Sequence, residues 1–264
     1  MAVLATHEWP PSGTDAGARA PVAVLVHGIT GWWRTWWRVG PALAGHGWRV
    51  MAVDQRGHGS SPPIDGAATA ESLADDLAAT LESLGVVPVD LLVAHSLGAA
   101  VSMELVHRRP EVAHRLVIED PPHETRAGDL EYQANLQRET LAARADPEAE
   151  IRRELADHPL WLEDDARQNV EGRALCDLDG ILASLRNDTG HRVLDLVPAI
   201  SIPTLYLLAD EARSVLGPRR GELVASAPET ASVVEFDAGH TVHRDRFDEY
   251  VNAILGWLQS SAGT

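Results

Sequence analysis

Ser96 stands near the end of the run Val89-Asp90-Leu91-Leu92-Val93-Ala94-His95-Ser96-Leu97-Gly98, with a small residue two places before it and two after. The apolar part has strand length and stops at Ala94. A helix-compatible segment, Ala99 to Arg109, follows at once. Strand, tight turn and helix with serine at the apex describe a nucleophile elbow, whose crowded backbone demands small residues at 94 and 98. The competing reading is a helix N-cap serine. A serine hydroxyl stays protonated at neutral pH, so as a nucleophile it needs a base within reach. His240, in Phe236-Asp237-Ala238-Gly239-His240, follows the last apolar run, and Gly239 lets that loop turn tightly. His243 competes, but it begins the segment leading into the closing helix and reads as an exposed polar residue. A carboxylate must then orient the histidine. Glu119, Asp120, Asp210 and Glu211 all end predicted strands. The developing oxyanion needs donors, and the amides of Leu97, at a helix start, and of Ile29, in a glycine-flanked loop, can supply them. Gly28 and Gly31 give that loop its backbone freedom.

These groups work together only if one scaffold brings them to one place. Val22 to Val26 is a continuous apolar run and reads as a buried strand, as do Trp48 to Val53 and the short segment Leu116 to Glu119; Thr204 to Ala209 and Ser232 to Asp237 restore the strand pattern. Met1 to Trp9 holds a short edge strand, and Pro10 to Ala20 reads as a loop. Helices are predicted from Arg34 to Gly45 and from a Thr69 cap through Leu84, with Leu73, Leu77, Leu81 and Leu84 on one face and Gly85 as the stop. Phe247 to Gln259 closes the chain as an amphipathic helix, with frayed residues beyond it. Apolar strands alternating with helices predict an α/β fold with a mostly parallel central sheet covered on both faces. Ligands in such sheets sit beyond the carboxyl ends of the strands, and positions 27–31, 96, 120, 210 and 240 all lie there. Between Pro121 and Leu196 alanine and leucine alternate with charge, which predicts short helices at about 130–144, 147–156, 163–175 and 180–185. The expectation is one domain over 1–264, with a core of about 1–121 and 197–264 and a helical cap of about 122–196 over the site.

His27-Gly28, the Asp54-to-Gly59 turn, Ala94-His95-Ser96-Leu97-Gly98 and Gly239-His240 occur in the order and spacing of the α/β-hydrolase fold family, which the whole chain resembles. The resemblance implies nucleophile Ser96, base His240 and oxyanion donors Ile29 and Leu97, with the Asp54-to-Gly59 turn structural. Most members carry the acid a few residues past the strand after the cap. Here that loop reads Ala209-Asp210-Glu211-Ala212-Arg213-Ser214, with Ala212 or Arg213 at the usual place. Other members place the acid one strand earlier, where Asp120 stands. Asp120 is therefore the expected acid and Asp210 the alternative, with Arg213 able to pair with a carboxylate nearby. Gly28, Thr30 and His95 border the expected site. Trp32, Trp33, Trp36 and Trp37 follow the oxyanion loop, and Trp161 lies in the cap. Large apolar rings with one donor suit a substrate wall, so Trp33 or Trp32, together with Trp161, is expected to line it, while the competing reading packs at least half of the four-ring cluster onto the sheet. Haloalkane dehalogenases and epoxide hydrolases of this fold use an aspartate at the elbow; serine favours acyl transfer. The expected activity is hydrolysis of a hydrophobic carboxylic ester or lactone through an acyl-enzyme. The alternatives are C–C hydrolysis or cofactor-free peroxidation on the same triad, or a small-molecule receptor.

A chain of 264 residues, 45% hydrophobic, can bury one sizeable core. A net charge of −17 argues against nucleic-acid and anionic-membrane partners. Single Cys176 cannot form an internal disulfide, suits a reducing compartment, and reads as a small apolar filler. No secretory leader or membrane-length run is evident, which predicts a cytoplasmic protein. No metal-ligand spacing and no phosphate-binding glycine loop is present, so neither a metal nor another cofactor is expected. The sequence leaves the oligomeric state open. Most other histidines, His7, His46, His107, His114, His158 and His191, sit among polar residues and read as solvated.

Overall fold

Runs of four or five apolar residues are too short to be core helices, and burial on both faces is possible for them only inside a sheet. The computed structural model describes residues 1–12, 20–124, 129–187 and 192–260; most of the Pro10–Ala20 loop, His191 and the last four residues lie outside them. Strands β1 (Thr6–Trp9) and β2 (Val22–Val26) precede helix α1 (Val39–Gly45). Strand β3 (Arg49–Val53), helix α2 (Ala70–Ser83), strand β4 (Leu91–His95), helix α3 (Leu97–Arg108) and strand β5 (Leu116–Glu119) follow. Four helices come next: α4 (Leu130–Ala145), α5 (Pro147–Asp157), α6 (Glu163–Leu175) and α7 (Leu178–Asn187). Strand β6 (Thr204–Leu208), helix α8 (Arg220–Ser226), strand β7 (Ala231–Glu235) and helices α9 (Val242–Asp245) and α10 (Phe247–Ser260) complete the order.

The strands form one seven-stranded sheet in the order β1-β3-β2-β4-β5-β6-β7. Only β1 is antiparallel, paired with β3 from Thr6 opposite Val53 to Trp9 opposite Val50. Every residue of β2, β4, β5 and β6 is buried. Side chains alternate between faces: Val22, Val24 and Val26 pack toward α2 and α3, whereas Ala23 and Leu25 pack toward α1 and α10. This layering puts the ends of β2, β4, β5, β6 and β7 at one edge, where the loops of interest begin. No helix among the described residues is long and apolar enough to cross a membrane.

Helices α4–α7 carry small clusters of their own. One joins Leu136, Cys176, Leu178 and Ile181 to Ile29; the other joins Ala143, Ile151, Trp161 and Val170. Cys176 is buried and free. The predicted helix from Arg34 to Gly45 is broken. Trp33–Trp36 forms a 3₁₀ turn, and the α-helix starts only at Val39. The Trp33 N–H, at the start of that turn, donates to Asp54 Oδ1 at 2.6 Å, which ties the turn to the end of β3.

Candidate active site

Three non-glycine residues have positive φ among the described residues, and each sits just past a strand at the same sheet edge. Thr30 (58°) follows β2, Ser96 (53°) follows β4 and Asp120 (37°) follows β5. Such conformations cost about 1–3 kcal/mol each and persist only where the surroundings fix them. Ser96, at φ 53° and ψ −118°, turns between β4 and α3. A Cβ at Gly98 would lie 2.5 Å from the carbonyl oxygens of both Val26 and His27, so that position must be glycine. Ala94, buried within β4, shows that the first small position accepts a methyl.

His240 and Asp120 meet the serine. Ser96 Oγ donates to His240 Nε2 at 3.0 Å, and His240 Nδ1 donates to Asp120 Oδ2 at 2.7 Å. Asp120 is fully buried and accepts three further bonds, from Ser214 Oγ at 2.6 Å, the Val215 N–H at 3.1 Å and the Ala209 N–H at 3.4 Å. Asp210 is not part of this set. Its carboxylate is 45% exposed, caps the Ala212 N–H at 3.0 Å and stands 3.8 Å from Arg213. Arg213 pairs mainly with Asp237. Ser214 was not foreseen, since nothing in its loop sequence distinguishes it.

His243 corrects an expectation. It is buried rather than exposed, because Glu119, the last residue of β5, accepts both its N–H at 3.0 Å and its Nδ1–H at 2.8 Å. Burial pushes Glu119 up and His243 well below its ordinary range. His243 is therefore the neutral donor and lies away from the serine's proton. His95 Nε2 donates to the His240 carbonyl at 3.0 Å, tying the elbow to the loop that carries the base.

The loop after β2 is held by a second pair of histidines, both neutral at pH 7. His27 Nδ1 donates to the Gly28 carbonyl at 2.7 Å while its Nε2 accepts the Gln55 N–H at 3.0 Å. His58 Nδ1 donates to the Arg56 carbonyl at 3.0 Å, and its Nε2 accepts the Thr30 N–H at 3.1 Å. Burial lowers His27 to about 4; burial and then the neighbouring His27 lower His58 to about 3. The Asp54-to-Gly59 turn thus buttresses the loop that presents Ile29. Two histidines at the exits of two adjacent strands were the sequence signal for this. Among the described residues neither the Ile29 nor the Leu97 N–H has a protein acceptor, and both residues border a cavity of about 510 Å³. Two unengaged amides beside a serine–histidine pair can bind an oxyanion.

Gly28, Thr30, His95, Ser96, His240 and Trp161 also line that cavity. Ile64, Leu136, Ile181, Leu185 and Val215 give it apolar walls. Trp33 does not line it. Trp33 stacks on His7 at 3.7 Å and packs beside Trp9 on the sheet, so β1 takes the ring that was expected in the pocket. His7 is accordingly half-buried rather than solvated. Trp32 and Trp37 fasten α6 instead, donating to the Gln168 carbonyl at 3.1 Å and to Asp165 Oδ1 at 2.9 Å. Trp36 is fully buried in the core. Trp161 stacks on His158 and donates to Asp245 Oδ1 at 2.9 Å.

A family model described as alpha/beta hydrolase fold matches residues 21–247. The sn-1-specific diacylglycerol lipase ABHD11 of Mus musculus is 30% identical over 258 residues, covering 92% of this chain and 83% of that protein. Epoxide hydrolase B of Mycobacterium tuberculosis is 36% identical over 95 residues, covering 35% of this chain and 26% of that one. Among solved structures, a thermophilic esterase from Thermogutta terrifontis superposes with a TM-score of 0.70 at 23% identity, covering 97% of this chain and 93% of that chain. At that identity the likeness concerns the fold alone.

Proposed function

The chain belongs to the alpha/beta hydrolase fold family, and on that footing we propose that it is a serine hydrolase cleaving a hydrophobic carboxylic ester or lactone. Ser96 Oγ attacks the carbonyl carbon as its proton passes to His240 Nε2. Asp120 keeps the imidazole in the required tautomer and stabilises the imidazolium. The Ile29 and Leu97 N–H groups bind the tetrahedral oxyanion. His240 returns the proton to the departing alkoxide, leaving an acyl group on Ser96. Water, deprotonated by the same histidine, then releases the acid.

The observation that carries this reading is the continuous path from Ser96 Oγ through His240, at 3.0 Å, to Asp120, at 2.7 Å, beside two unengaged amides. Serine rather than aspartate at the elbow supports acyl transfer over epoxide or halide opening. The apolar walls support a hydrophobic substrate, and helices α4–α7 serve as the cap that bounds it. The mouse relative is named as a diacylglycerol lipase, which also favours an ester. The test is turnover of chromogenic esters and lactones of graded acyl length by wild type and Ser96→Ala. Loss of all turnover in the variant is expected. A wild type inert toward every member while Ser96 still reacts with a fluorophosphonate would move the reading to C–C hydrolysis.

A further inference from the structure

Arg244 is a charge in the cavity wall that no described carboxylate contacts, although Asp165, Glu154 and Glu119 act on it through space. It follows His240 by four residues, is 4% exposed, and borders the cavity. Its guanidinium lies 4.5 Å from the centre of the Trp161 ring. Nε and Nη1 are buried without a hydrogen-bond partner, and no described carboxylate forms an ion pair with it. The acids nearby are engaged elsewhere. Asp165 accepts from Trp37 Nε1 at 2.9 Å and the Leu162 N–H at 3.0 Å. Asp245 accepts from Trp161 Nε1 at 2.9 Å and the Gly239 N–H at 2.5 Å. Glu119 is taken by His243.

The other arginines that line the cavity have partners: Arg56 meets Asp76 at 2.6 Å, and Arg173 meets Glu154 at 2.7 Å. Glu139 stands 3.6 Å from Arg173. A guanidinium withdrawn from water without a contacting anion is unfavourable: burial draws its affinity for the proton down, and the through-space pull of Asp165, Glu154 and Glu119 offsets that only in part. A residue kept in that state on a cavity wall, close in sequence to the base, is suited to an anion that arrives with the substrate.

We propose that Arg244 binds a carboxylate of the substrate, remote from the carbonyl that Ser96 attacks. The substrate class is then an acyl compound with an apolar body and one free carboxylate, such as the half-ester of a dicarboxylic acid. A single negative charge fits better than a phosphate dianion, because Glu139 and Glu154 also line the cavity and one arginine is available. The cleaved bond rests on the proposed ester hydrolysis; the anion site does not.

The test uses p-nitrophenyl half-esters of succinic, glutaric and adipic acid, each beside a counterpart of equal length capped as the carboxamide. Wild type is expected to favour the half-ester in kcat/KM by on the order of tenfold to a hundredfold at the best length, the range for hydrogen bonds to a charged group. In Arg244→Gln that ratio falls to about one, and in Arg244→Lys part of it survives. Ser96→Ala protein, with Arg244 intact, is expected to bind the half-ester more tightly than the carboxamide by calorimetry. Equal rates for both in wild type, as for a guanidinium satisfied by solvent, overturn the assignment while leaving ester hydrolysis standing. No turnover of either, with tighter half-ester binding by Ser96→Ala, supports the anion site and rejects ester hydrolysis. An undiminished preference in folded Arg244→Gln places the anion on another residue and overturns the proposal.

Discussion

Replacing Asp120 by asparagine separates charge from geometry in the proposed triad. Oδ2 accepts from His240 Nδ1 and the Val215 N–H, so an amide nitrogen there would face two donors. Oδ1 faces the Ser214 hydroxyl, which can turn to accept, and the weaker 3.4 Å contact from the Ala209 N–H. The favoured orientation keeps the amide oxygen on His240, so the tautomer survives and the lost quantity is the negative charge. Opposite charges ~4 Å apart at an effective dielectric of ~20 attract by about 4 kcal/mol, which is about a thousandfold in rate. The reverse orientation would also force the wrong tautomer, with losses of about ten-thousandfold. Asp120→Asn is therefore expected to lower kcat by about 10³ to 10⁴ while leaving the circular dichroism spectrum unchanged. Asp210→Asn, on a half-exposed carboxylate that meets Arg213 and one amide, is expected to leave kcat within about twofold. The assay is single-turnover release of p-nitrophenol from the best ester of the panel. A loss below about tenfold for Asp120→Asn, or an equal loss for Asp210→Asn, would refute the assignment.

The buried pair His27 and His58 should make the fold acid-sensitive. His27 ionises near 4 when folded against 6.5 as its ordinary value, so between those pH values only the unfolded chain binds the proton. The contribution is whole above about pH 6.5 and is lost on acidification toward pH 4, roughly 3 kcal/mol from His27 alone; urea midpoints at pH 7 and 4.5 should show the fall, less steeply in His58→Gln, and a flat profile would contradict it. Gly98→Ala pushes a methyl against two carbonyl oxygens at 2.5 Å, so it should lose about 1–3 kcal/mol of stability together with turnover, whereas wild-type kcat and Tm would show that the elbow has room. Trp161→Ala should change the acyl-length profile, whereas Trp33→Ala should lower Tm and leave that profile as it is. The reverse pattern would return Trp33 to the pocket.

The sheet was legible because strands buried on both faces are written as uninterrupted apolar runs, and those of β2, β4, β5 and β6 stand apart from the charged helices between them. Ser96 and His240 were legible because a tight turn needs small neighbours and because both follow such runs. The choice between Asp120 and Asp210 depended on backbone direction. Asp120, at φ 37°, turns back under the β6 loop and collects its donors, while Asp210 turns outward to Arg213. His243 reads as exposed in the sequence because its partner Glu119 lies 124 positions away and makes a polar side chain compatible with burial only in three dimensions. The tryptophans misled for a related reason. Four rings in six residues announce apolar surface, but whether it meets substrate, β1 or α6 is decided by elements distant in sequence.

In the proposed reaction an acyl group passes through Ser96 Oγ. Rapid-quench mass spectrometry of wild-type enzyme in mid-turnover on its best ester tests it most directly. The expected result is an acyl mass on the peptide containing Ser96, formed during a burst of leaving-group release and absent from Ser96→Ala. Turnover without an adduct in wild type, persisting in Ser96→Ala, would contradict it.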